Sequence, residues 1–70
     1  MARLRALSGR EACRIPESHG FREIRRRGSH FAMRKAGAEG TITVPDHAEL
    51  RPGTLMSVIR QSGVPRSEFE

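Results

Sequence analysis

Three arginines, a Gly-Ser pair and a histidine follow one another at residues 25–30, and the histidine opens a run, His30-Phe31-Ala32-Met33-Arg34, that alternates polar and apolar side chains. A histidine among cations suits one kind of chemistry above others. Arginine grips a phosphodiester with a planar fork of donors and stabilises the charge that builds on it in a transition state. Cations crowded around an imidazole favour its neutral form, which accepts a proton. With Arg25, Arg27 and Arg34 near His30, the pattern suits metal-independent RNA cleavage. A general base takes the 2′-hydroxyl proton, the oxygen attacks the adjacent phosphate, and a cation or acid supports departure of the 5′-oxygen. DNA lacks that hydroxyl and would be spared. Gly-Ser-His is also common in expression tags, but tags lie at termini and this stretch is mid-chain, at a predicted turn.

The remaining reactive side chains are fewer. His47, in Val44-Pro45-Asp46-His47, is the second catalytic candidate, as a general acid; an ordinary loop histidine is the alternative. His19 ends the first predicted helix, where positive charge complements the dipole, and reads as structural. Cys13 reads as a core residue rather than a nucleophile. Gly53-Thr54-Leu55 could bind an anion through free amides at a helix start, although helix capping is the favoured role. Scattered histidines, one cysteine and no clustered carboxylates do not make a zinc or two-metal site, and no cofactor is expected. The chain has no Trp or Tyr, and Phe21 and Phe31 are assigned to the core, so recognition of single strands by base stacking is not expected.

The elements that would position these residues can be read from capping and periodicity. Ser8 and Glu11 have the capping-box spacing, Leu7 can staple onto Ala12, and Gly20 supplies a stop, which predicts a first helix. Pro16 interrupts it. A proline there costs about 3 kcal/mol in a straight helix, so a kink or an early end is expected. Residues 21–26 and 30–34 form a hairpin across Gly28-Ser29, and "TITV" at 41–44 supplies a third strand. Alternation puts Phe31, Met33, Ile42 and Val44 on one face, and His30, Ala32, Arg34, Thr41 and Thr43 on the other. With Ile24 buried, Glu23, Arg25 and Arg27 would join the second face, and Phe21 would break the alternation. Pro52 opens a second helix whose stripe is Leu55, Val58 and Ile59, and Gly63 ends it. A last turn capped by Ser67 folds Phe69 back. The order is α-β-β-β-α: an α+β fold, a three-stranded antiparallel sheet with both helices on one face. The other face stays open and basic.

Seventy residues bound the chain to one small domain, 1–70. One cysteine allows no internal disulfide, which fits a reducing cytoplasm, and no apolar run is long enough for a signal or a membrane span. The formal net charge is +5, and twelve of the thirteen basic residues are arginine. That bias points to a polyanionic partner, nucleic acid above all.

"HGFREIRRRGSHFAMR" followed by "TVPDHAELRPGTLMSVIRQSGV" resembles the HicA-type (YcfA-like) mRNA interferase toxins of toxin–antitoxin pairs. The shared motifs are Gly20-Phe21, Arg25, Gly28-Ser29-His30, Val44-Pro45-x-His47 and Gly53-Thr54-Leu55, and the match runs from Leu7 to Phe69. The resemblance implies a fold like that of double-stranded-RNA-binding domains and a translation-inhibiting endoribonuclease whose catalytic histidine maps onto His30. It also implies RNA as substrate and a HicB-type antitoxin that covers the site. The family's second histidine maps onto His47. Phosphate contacts fall to Arg25, Arg27, Arg34, Gly28 and Ser29. Two positions depart from the family pattern: Pro16 replaces a large aliphatic residue, and Arg26 replaces a common Gln, adding charge near the site. Two further readings stand beside the toxin. One is a non-catalytic RNA-binding module that reads A-form backbone geometry; the other is an interaction protein whose basic face docks an acidic partner.

Overall fold

A computed structural model of the chain describes residues 2–70. Ser8 starts the first helix, α1 (Gly9–Ser18), as the spacing predicts. Its hydroxyl accepts from the Glu11 amide at 3.0 Å while the Glu11 carboxylate accepts from the Ser8 amide at 2.9 Å. The bonds from the Ser8 backbone and then its side chain hold the Glu11 carboxyl below its ordinary range. Pro16 lies in the last turn, and the helix ends two residues later. Its ring is fully buried. The proline therefore serves as a core side chain near a terminus, where few helical bonds remain to be broken.

Three antiparallel strands follow in sheet order β1-β2-β3: β1 (Phe21–Arg27), β2 (His30–Lys35) and β3 (Ile42–Pro45). The β1–β2 turn has Gly28 at φ 58° and Ser29 at negative φ. This is the type II′ pattern, which matches the twist of a two-residue hairpin. The second helix, α2 (Pro52–Ser62), ends at Gly63 with φ 70°. A 3₁₀ turn, Arg66–Phe69, brings Phe69 into the core. Pro65, not Ser67, stands at its start, and Ser67 lies inside it. Phe31, Met33, Ile42 and Val44 are buried beneath the helices with Ala12, Leu55, Val58 and Phe69. Each large side chain among them contributes roughly 1.5–3 kcal/mol by leaving water.

Three main-chain bonds knit the loops to this core. Arg5 donates to the Phe69 carbonyl at 2.8 Å, Leu50 to Leu7 at 2.7 Å, and Gly9 to His47 at 2.9 Å. At Gly9 the approach is so close that a Cβ would stand 1.9 Å from the Pro45 carbonyl oxygen. Only glycine fits there.

One expectation about β1 fails. Ile24 is not buried but 52 % exposed. The register passes from Glu23↔Met33 directly to Arg25↔Ala32, so Ile24 is the extra residue of a β-bulge. A bulge shifts the side-chain parity by one. Phe21 and Glu23 therefore share the helix side with Arg26, while Arg22, Arg25 and Arg27 share the open side. Glu23 is the misplaced residue: it faces α1, where Arg10 holds it at 2.9 Å.

Candidate nucleic-acid interface

The open face is built by cross-strand rows. Arg27, His30 and Pro45 form one, and Arg25, Ala32 and Thr43 the next. Beyond them Arg22 stands opposite Arg34. Residue pairs directly opposite in an antiparallel sheet hold their side chains on the same side, so the turn chemistry of Gly28-Ser29 and the bulge at Ile24 together bring Arg25 and Arg27 beside His30. Arg25, Arg27, His30, Ala32, Thr41 and Thr43 line a single open groove. That groove contains no carboxylate.

Charge pairing differs between the faces. Arg10, Arg26 and Arg66 have carboxylate partners, and His19 lies 3.4 Å from Glu68. Among the described residues Arg22, Arg25, Arg27 and Arg34 have none, and all four are exposed. Arginines that face one another without counter-ions repel, so the arrangement favours an external polyanion.

Arg26 stands apart from its neighbours in sequence. It pairs with Asp46, and its guanidinium lies 5.0 Å from the Phe31 ring centroid, as that of Arg10 does at 4.3 Å. It therefore does not line the groove, contrary to the expectation from its departure from the family pattern. Asp46 also donates its amide to the Ser29 carbonyl at 2.6 Å, which ties the turn before His30 to the loop after β3.

His30 and His47 are not brought together in the groove. His47 is exposed in that loop, its carbonyl held by Gly9, and it does not line the surface around His30. Gly28 and Ser29 form the exposed turn at the groove's end. The Gly53-Thr54 segment does not cap α2 by a side chain: Arg51 occupies the cap position without a side-chain bond. Cys13 is buried, and loss of solvent pushes its thiol up to about 11. Arg22, which stands beside Arg34 on the open face and does not line the groove, is the one cation of that face that sequence reasoning missed, because placing it requires the bulge. The clash of phase between Phe21 and Ile24 is the signal that could have located it.

Among the described residues no helix is long and apolar enough to cross a membrane. No curated protein matches the chain. Residues 9–64 match the family model described as "HicA toxin of bacterial toxin-antitoxin". That span runs from the first residue of α1 to just past the end of α2 and includes every residue of the groove. The chain thus belongs to the HicA toxin family and is the toxin of a toxin–antitoxin system, with an antitoxin as its partner.

Proposed function

We propose that the protein is a metal-independent endoribonuclease that cuts mRNA, inhibits translation and is neutralised by a HicB-type antitoxin. The observation that carries this reading is that His30 shares one open groove with Arg25 and Arg27, two arginines without a carboxylate partner among the described residues. His30 takes the proton from the 2′-hydroxyl of the bound nucleotide as general base. The 2′-oxygen forms its bond to phosphorus, and the bond from phosphorus to the 5′-oxygen breaks. Arg25 and Arg27 hold the non-bridging oxygens and stabilise their added charge. Arg22 and Arg34 bind the flanking phosphate, and Gly28 and Ser29 shape the end of the groove. His47, in the loop after β3, takes the assisting role of general acid, giving a proton to the leaving 5′-oxygen.

The products of such a step are a 2′,3′-cyclic phosphate and a free 5′-hydroxyl. The purified protein should therefore cut a long single-stranded RNA in EDTA, leave that pair of ends, and spare the 2′-deoxy strand of the same sequence. Cleavage that requires a divalent cation, or that cuts DNA equally, would contradict the mechanism.

A further inference from the structure

The two edges of the sheet are finished differently. On β3 the Thr43 amide points away from β2 and donates to Oε1 of Gln61 on α2 at 3.2 Å, and Pro45 has no amide to offer. That edge is closed to a further strand. β1 forms the other edge. Because Thr43 directs its amide outward, Ala32 and Thr43 are a non-hydrogen-bonded pair, and Phe31 and Met33 direct their main-chain groups to Val44 and Ile42. Their partners on β1 are Arg26 and Glu23, whose amides and carbonyls consequently point out from the sheet. Among the described residues no turn or loop takes up either amide.

An outward row of this kind alternates donors and acceptors. A phosphate chain offers acceptors only, whereas an extended polypeptide offers both and adds to such an edge as a new strand. The side chains select which polypeptide. Four of the seven β1 residues are arginine, and the single carboxylate, Glu23, is held by Arg10. A second copy of this chain would set arginine against arginine, which is destabilising for residues directly opposite. The bulge limits the straight run to Arg25–Arg27 and leaves the exposed side chain of Ile24 as an apolar contact beside it.

We propose that β1 accepts an extended acidic segment of the antitoxin as a fourth strand. Alternate carboxylates of that strand stand beside Arg25 and Arg27, so main-chain pairing at the edge and neutralisation of the groove occur together. The proposal rests on the antitoxin being this chain's partner and does not depend on the ribonuclease reading, because its test reads binding alone. Amide exchange is measured by NMR on the full chain, free and in the purified complex with its antitoxin. The Glu23 and Arg26 amides should slow by about tenfold or more in the complex. A chain made by chemical synthesis with the Arg26 amide methylated should bind the antitoxin about tenfold more weakly. Unchanged exchange at both amides in a saturated complex, or unaltered affinity of the methylated chain, overturns the proposal. Protection of those amides by single-stranded RNA and not by the antitoxin assigns the edge to nucleic acid and overturns it equally.

Discussion

On β2, Phe31 and Met33 are 1 % and 0 % exposed, whereas His30 and Arg34, each one residue away, are open to solvent. The covered face is apolar apart from the paired charges around Phe31; the open face holds His30 and four arginines without carboxylate partners among the described residues. One strand thus serves two purposes that the two-residue period keeps apart. The lesson is that stability and recognition are separable here by parity. A substitution on one face should leave the other property nearly untouched.

Met33→Ala is the largest break in that arrangement. It removes most of a fully buried side chain between strand and helices and should cost about 2–5 kcal/mol in denaturant unfolding. Arg34→Ala, one residue on, should change stability by no more than about 0.5 kcal/mol while weakening RNA binding and flattening its salt dependence. Equal destabilisation by the two would show that the faces are not independent.

Gly9→Ala comes next. The added Cβ would overlap the Pro45 carbonyl, and overpacking of this kind costs about 1–3 kcal/mol. The same exchange at Gly53, where a Cβ meets nothing within 4 Å, should stabilise by about 0.4–1 kcal/mol. Thermal melts of the pair decide whether the contact between α1 and the loop after β3 is as tight as described.

The smallest effect concerns the covered face at high pH. Burial raises the Cys13 thiol from 9.0 to about 11, so the folded protein favours the neutral form. Its contribution to stability is complete below pH 9 and is lost as pH rises through 11. The denaturation midpoint of the native chain should fall more steeply over that window than that of Cys13→Ala. Parallel curves would indicate that solvent reaches the thiol.

Much of this organisation was legible in the residues. The Ser8–Glu11 box, the alternation through β2 and β3, and the glycine stops at Gly20 and Gly63 each carry a local signal that tertiary contacts then reinforce. β1 resisted because a bulge changes parity without changing composition. Anchoring the phase on Ile24 put Arg25 and Arg27 on the correct side but sent Glu23 to the wrong one, and it hid Arg22. Arg26 differs for another reason: its departure from the family pattern implies added charge near the site, and nothing in the sequence reveals its pairing with Asp46 on the helix side. Gly9 gave no signal at all, since the carbonyl it must clear lies at the end of β3, more than thirty residues away. Likewise Ser67 has the type of a cap, but Pro65 begins the last turn. Within the groove, the types and spacing of Arg25, Arg27, Gly28, Ser29 and His30 sufficed because a two-residue turn fixes the register of everything beside it. His47 had no such constraint, and its loop turns toward α1.

The most direct test of the central claim is a comparison of the native chain with His30→Ala in one RNA-cleavage assay in EDTA, on samples shown to melt alike. Loss of a general base typically costs about 10²–10⁴-fold in rate, so cleavage should fall by that much while melting temperature and RNA affinity stay close to native. Cleavage by His30→Ala at the native rate would contradict the account, and the open face would then be a binding surface without chemistry at its centre.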